Sequence, residues 1–355
     1  MNILERYIAK NVILATLMVL SVVTALCFII GMLRELHDLG EGDYGFLQIV
    51  LHELLLLPHA IYQFFPMLVL LGGVVGLGML ASSHELMVMR AAGVSVQRIV
   101  RSVIYAALLL IMIATLMGEG VAPKANYLAG KYKSLAETLG QAVVTMSGVW
   151  IHEGNNFIHI DSVLGRHHLV GVTRYEFDNA HRLLASFHAD TLEFEDGKWI
   201  SYDLAKTTLH ENKTVTEQIP KATWDLKLTP NLLNVGLADA EAMSLKKLQE
   251  YSHYLKQNRL QAGIFQLEFW QRVFQPFTTL VMVLLAIPFV FAAPRSVSMG
   301  RRILFAIIIG FIFYILNAFF GQFSIVFQFH PIIAALLPTI IFAMAGYFYM
   351  WRARI

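Results

Sequence analysis

Apolar residues in this chain come in runs too long for the core of a soluble protein. From Asn11 to Leu33 there is no Asp, Glu, Lys or Arg, and the same holds from Leu54 to His84. A third run extends from Ser102 to Pro123, broken only by Glu119, and a fourth from Val273 to Pro294. About 20 mostly apolar residues cross a hydrocarbon core roughly 30 Å thick, so each run predicts one membrane-spanning helix. The second is long enough to tilt, or to kink at Pro58 or Pro66. Between Arg302 and Arg352 no acidic or basic residue appears except His330. A single helix of that length would measure roughly 70 Å at 1.5 Å per residue, more than twice the thickness available. It must fold back, and Gln328-Phe329-His330-Pro331 is the natural turn, which brings the spans to six.

Between the third and fourth runs the pattern changes. Residues from about Lys124 to Glu268 are too many for a plain loop, and side chains there alternate with period two. Val149 to His152, Phe157 to Asp161, Gly171 to Phe177 and Thr191 to Glu195 all read as strands, and Asp196-Gly197 is a tight-turn signal. Short strands with polar turns predict a sandwich, a jelly roll or an open barrel. Ser244 then opens a helical pattern with Leu245, Leu248, Tyr251 and Leu255 on one face, ending near Gly263. The fold class predicted is a polytopic α-helical membrane protein, six transmembrane helices with an inserted β-domain, β-jellyroll-like or one of these alternatives. The organisation is 1–123 for spans one to three, 124–243 for the β-rich domain, 244–266 for a linking helix and 267–355 for spans four to six.

Composition agrees, with 57% hydrophobic and only 15% charged residues. A net charge of +2 gives no reason to expect nucleic acid. The lone Cys27 rules out a disulfide framework within one chain. Where the cations sit gives the orientation. Arg6 and Lys10, then Arg90, Arg98 and Arg101, then Arg295, Arg301 and Arg302, and last Arg352 and Arg354 collect on one side. The loop between spans one and two instead carries Arg34 against Glu35, Asp38, Glu41 and Asp43. Both termini are therefore expected in the cytoplasm and the β-domain on the far side. The N-terminal run lacks a small-residue cleavage site and reads as a retained span. Tyr44, Trp270 and Trp351 fall where interfacial aromatic anchors are expected.

Familiar catalytic motifs are missing from the sequence. There is no Gly-x-x-x-x-Gly-Lys-Ser/Thr and no Gly-x-Ser-x-Gly, and His52-Glu53 and His84-Glu85 lack the second histidine of a zinc-protease helix. Arg166-His167-His168 with His152, His159, His181 and His188 has no ligand spacing and reads as a sheet surface, so no metal is predicted. Asn212-Lys213-Thr214 matches a short glycosylation pattern that also arises by chance. Glu119 is the only acidic residue inside a run and sits near its end, which disfavours an ion path.

Three features could carry function. Ser82-Ser83-His84-Glu85-Leu86-Met87-Val88-Met89-Arg90-Ala91-Ala92-Gly93 predicts a short helix outside the membrane. Ser82 and Glu85 form its capping box and Gly93 its stop. Its apolar side chains need cover from lipid or a partner, or else it is a connector lying on the surface. Second, Lys124, Lys131 and Lys133 follow span three against the positive-inside trend, with Lys256, Arg259 and Arg272 approaching span four from the same side. Such cations suit an anionic ligand such as a phosphorylated lipid, or form a solvated charged face. Third, Gly72 and Gly76 make a Gly-x-x-x-Gly that allows close helix approach in lipid, either within the chain or towards a second subunit.

Taken in order, several segments resemble the LptF/LptG permease family, and its LptG branch more than its LptF branch. They are Leu77-Gly78-Met79-Leu80-Ala81 leading into Glu85 to Met89, Gly120-Val121-Ala122-Pro123, and Asn155-Asn156-Phe157-Ile158. Further on come Tyr254-Leu255-Lys256, Phe274-Gln275-Pro276, Arg295 to Gly300, and Pro331 to Pro338. The resemblance covers essentially the whole chain. It implies a permease subunit in the bacterial inner membrane that takes up lipopolysaccharide and passes it to a periplasmic bridge. It also implies partners: an LptF-like second permease, an LptB-like ATPase dimer that binds the ATP, and an LptC-like bridge protein. The chain itself would need no cofactor. The loop 82–93 becomes the coupling helix, with Glu85, Leu86, Met89 and Arg90 as contacts. Lys131 and Lys133, with Lys124, become candidates for lipid phosphates. Family members often carry lysines at the outer end of span one, where this chain has Gly31, His37 and Asp38, and Arg34 is the nearest cation.

A membrane-anchored enzyme acting on envelope lipids is the rival from another class. It needs a nucleophile, base and stabiliser that the sequence does not bring together. A lipoprotein-releasing permease would have four spans, with its domain after the first.

Overall fold

The computed structural model describes residues 3–352 apart from 41, 138–142, 154, 165–167, 179–181, 196–197, 211–212, 225–239, 241–242, 258–260 and 292–297. The expected turn at Asp196-Gly197, the sequon residue Asn212, Arg166-His167 and the cations Arg259, Arg295 and Arg354 lie outside the described residues.

Among the described residues, six helices are long and apolar enough to cross a membrane. Helix α1 is Ile3–Glu35, followed by one 3₁₀ turn at Leu36–Asp38, and α2 is Phe46–Ser82. The short α3 is Glu85–Ala91 and α4 is Val96–Leu116. A π-helical turn, Met117–Val121, joins α4 to α5 (Ala122–Glu137). After the β-strands come α6 (Leu245–Gln257), α7 (Gly263–Phe291), α8 (Met299–Val326) and α9 (Pro331–Arg352). The fold-back lies where length demanded it. Proline opens α9, where its missing N–H costs nothing, and Ser324 Oγ donates to the Phe329 carbonyl at 2.8 Å, closing the turn. Helix α6 is described as far as Gln257; Gln261 and Ala262 are not helical, and Gly263 begins α7.

The chain divides into two compact units. The first comprises Met1–Leu33, Leu54–Asn126 and Gly263–Ile355. One of its cores packs Ile8 and Val12 of α1, Leu77 of α2, Val103 and Ala107 of α4, and Val283 and Ile287 of α7. A second joins Leu70 and Val74 to Met282, Ala306, Phe313 and Phe342. Close approach of α1 and α2 is permitted by two missing side chains. A Cβ on Gly72 would stand 2.5 Å from Thr16 Cα, and one on Gly76 2.9 Å from Val12 Cα.

Arg34–Glu53 and Tyr127–Ala262 make the second unit. Its strands are β1 (Val143–Glu153), β2 (Asn156–Leu164), β3 (His168–Phe177), β4 (Leu183–Glu195), β5 (Lys198–His210) and β6 (Lys213–Trp224). They form one antiparallel sheet in chain order, each strand pairing with the next. The register pairs Glu195 with Lys198 and His210 with Lys213. Ile158, Ile160, Leu169, Val172, Leu192, Trp199 and Trp224 form its core, against which Tyr254 of α6 packs. Burial slips phase between Leu169 and Val172 because Gly171 sits at φ +65°, where a side chain would also collide with Asp161. The buried Trp224 indole is satisfied by donating to Ser201 Oγ at 3.0 Å. Tyr251 stacks on Tyr254 with centroids 6.1 Å apart, and burial pushes its phenol above the usual range.

Candidate functional site

Helix α3 is built differently at its start from the capping box that the sequence suggested. Ser82 is the last residue of α2, so its hydroxyl donates to the Met79 carbonyl at 2.9 Å instead of capping α3. His84 takes the N-cap position in the left-handed conformation, φ 62°, with no side-chain cap. The Glu85 carboxylate accepts from Ser83 Oγ at 3.0 Å and from Tyr7 Oη at 2.8 Å, tying α3 to α1. The far end closes as expected. Gly93, at φ +87°, donates to the Arg90 carbonyl and Val94 to Met89, both at 3.0 Å, a Schellman motif.

Leu86 and Met89, expected as partner contacts, are buried within the chain. Three residues apart on one helix, they share a face, and that face is buried in the first unit's core beside Ile99 and Val103. The solvent face carries Met87 at 49% and Val88 at 66% exposure, together with exposed Arg90. The i, i+3 spacing of Leu86 and Met89 is the sequence signal that turns Met87 and Val88 outwards.

The cation cluster also resolves into distinct environments. In the second unit, Lys133 Nζ lies 2.7 Å from both Glu35 Oε2 and Asp38 Oδ2, and only 23% of its side chain is exposed. Lys131 and Arg34 of that unit are exposed, as are Lys124 of the first unit and Lys256. Arg272 does not belong with them. Its side chain is 4% exposed, with Nε 2.9 Å from Glu268 Oε1 and Nη1 3.8 Å from Glu119 Oε1. A guanidinium inside a membrane span is held by carboxylates because it cannot be left unpaired there. Glu119 is thus part of an ion-pair group. The π-helical turn that carries it places Gly118 against the Tyr62 ring, and Gln275 Nε2 donates to the Tyr62 carbonyl.

Tyr44, expected as an interfacial anchor, is instead 1% exposed and donates to Glu35 Oε2 at 3.0 Å. By sequence position Glu35 is simply one of the acidic residues of the loop between spans one and two. Among the described residues, Glu35, His52 and Glu53 are the group of acidic and histidine side chains that stand close enough to hold an ion. Gly72 and Gly76 face α1 of the same chain, which assigns their spacing to internal packing.

Comparison with known proteins agrees along the whole length. The family model described as "Lipopolysaccharide export system permease LptF/LptG" matches residues 6–352. The lipopolysaccharide export system permease protein LptG of Escherichia coli strain K12 is 36% identical over 354 residues, covering 99% of this chain and 98% of that protein. The protein of the same name from Haemophilus influenzae is 32% identical over 355 residues, covering 99% of each.

Proposed function

The chain belongs to the LptF/LptG family of lipopolysaccharide export system permeases, and on that premise we propose that it is the LptG-type permease subunit of an ABC transporter. It extracts lipopolysaccharide from the bacterial inner membrane and passes it to a periplasmic bridge. An LptF-like permease pairs with it, an LptB-like ATPase dimer binds the ATP, and an LptC-like protein receives the lipid. Both termini are cytoplasmic and the β-domain periplasmic, by the distribution of Lys and Arg. Two observations on the spans support a paired permease. Only 11% of the α1 window and 17% of the α8 window is buried within the chain, against 72% for α2. Spans one and five therefore offer apolar faces to a cavity shared with a second permease.

The observation that carries the coupling to ATP is α3. It is anchored from behind by Leu86 and Met89, and its exposed face carries Met87 and Val88 beside Arg90, on the side that the Lys and Arg distribution puts outside the lipid core. Nucleotide binding on the partner shifts the cavity between two shapes by differential affinity. Replacing Met87 and Val88 together by Asp is expected to lower recovery of the co-expressed ATPase with the purified chain by about tenfold, roughly 1.4 kcal/mol of binding. Glu85→Lys is expected to act in the same direction. The folded yield of the Met87/Val88 variant should not change. ATPase recovery equal to wild type in the double variant removes α3 from this role.

Lipid phosphates are met by the exposed Lys131, whereas Lys133 is already shared between two carboxylates. Lys131→Glu is expected to weaken lipopolysaccharide crosslinking at the end of span three about fivefold, as for one cation near an anionic surface. Adding Lys133→Glu lowers it only a little further. Wild-type crosslinking in Lys131→Glu refutes the contact.

A further inference from the structure

We propose that Glu35, His52 and Glu53 form a binding site for one divalent transition-metal ion of the zinc class. Glu35 ends α1, while His52 and Glu53 lie near the start of α2. One ligand atom from each stands within 4.8 Å of the others. Neighbouring ligands of a tetrahedral zinc lie roughly 3.3 Å apart, given bonds of about 2.0–2.2 Å. Side-chain adjustment of about an ångström closes that difference.

Two observations outside the mere clustering point to a cation. The first is the histidine. His52 Nδ1 is 3.2 Å from the Ala129 carbonyl, which can only accept, so the proton sits on Nδ1. In its neutral form His52 directs the lone pair of Nε2 towards Glu35 Oε1, 3.8 Å away. Two acceptors face each other across a gap. A backbone carbonyl holding the far nitrogen is also how metal-bound imidazoles are usually oriented. The second is Glu53, which is 5% exposed and which no hydrogen bond or ion pair reaches among the described residues. Its carboxylate is directed into the group.

The cation already present engages the other oxygen of Glu35. Lys133 and the Tyr44 hydroxyl both engage Glu35 through Oε2, and Lys133 also holds Asp38, leaving Oε1 to face the histidine. Arg34 is exposed and makes no ion pair with Glu53 among the described residues. One imidazole nitrogen with two carboxylates selects zinc, cobalt or manganese over calcium and magnesium, which favour all-oxygen sets. Three protein ligands leave a fourth position for water or for an anionic oxygen.

The test uses the full-length chain, purified without a histidine tag and stripped with chelator. Titration with zinc alone is expected to show one tight site per chain, and cobalt to give a tetrahedral visible band. His52→Gln and Glu53→Gln should each weaken zinc at least about tenfold and abolish that band, since even outer-shell losses reach 10–100-fold. His188→Gln, on the exposed sheet, should change neither. X-ray absorption of the zinc-loaded wild type needs no variant to fold and should show a single imidazole among oxygen ligands. Absence of tight uptake by the stripped wild type overturns the proposal and leaves a proton in the gap. So does affinity unchanged by both substitutions, or a shell with two or more imidazoles.

Discussion

Gly72→Leu is expected to yield no monodisperse protein, because α1 and α2 touch at backbone level there. A single added carbon already meets Thr16 Oγ1 and lies 2.5 Å from Thr16 Cα and 2.6 Å from its Cβ. Thr16 cannot swing away: its hydroxyl donates to the Val12 carbonyl at 2.8 Å and its side chain is 1% exposed. The helices must separate, and separation opens the packing of Val12, Val69 and Leu77 along the same seam. Overpacking of this kind costs about 1–3 kcal/mol for a few atoms and more when backbone must move. Gly72→Ala should therefore lower stability measurably despite alanine's better helix propensity, worth about 1 kcal/mol. Gly130 is the control. Nothing lies within 4 Å of a Cβ there, so Gly130→Ala should be neutral or mildly stabilising. Thermal unfolding of the three purified variants, followed by size-exclusion profile, decides the matter. A stable, monodisperse Gly72→Leu protein contradicts the packing described.

Arg272→Met is the second large effect. The guanidinium is almost fully enclosed, and its loss takes the cation away from Glu119 and Glu268 together. Removing one partner of a buried ion pair costs about 3–5 kcal/mol, mostly because the remaining charge is stranded. Glu119 and Glu268 keep about a fifth of their side-chain surface exposed, which places the expectation at the lower end. Neutralising the stranded charges should repair much of the damage. Arg272→Met combined with Glu119→Gln and Glu268→Gln is expected to unfold at a temperature nearer wild type than Arg272→Met alone. Arg272→Lys should fall between, since an ammonium lacks the planar fork that serves two carboxylates. If the triple variant is no more stable than the single one, packing rather than charge explains the loss.

The layout of spans was legible because each is a charge-free run, and hydropathy alone counts such runs. Position along the helix was less legible. Tyr44 looked like a membrane anchor from its neighbours in sequence, yet its hydroxyl is captured by Glu35, nine residues earlier. The β-domain was half visible. Strands β2, β3 and β4 carry buried residues amid polar ones, whereas β6 is almost wholly exposed along Lys213–Trp224 and shows no alternation to detect. Ion pairs between distant segments, such as Lys133 with Glu35 and Arg272 with Glu119, left no local trace at all. In the short helix, the residue types were informative but the facing was not. Glu85 read as a cap, and in the structure it is a tether to Tyr7.

That tether, with the Schellman closure and the inward Leu86 and Met89, makes α3 mechanically stiff. It is bolted at its first residue to α1, along one side to the core and at its last turn to its own backbone. A flap would absorb a push by bending at its joints. A load pressed on Met87 and Val88 would instead pass through Leu86 and Met89 to Ile8 and Val103, which share their core.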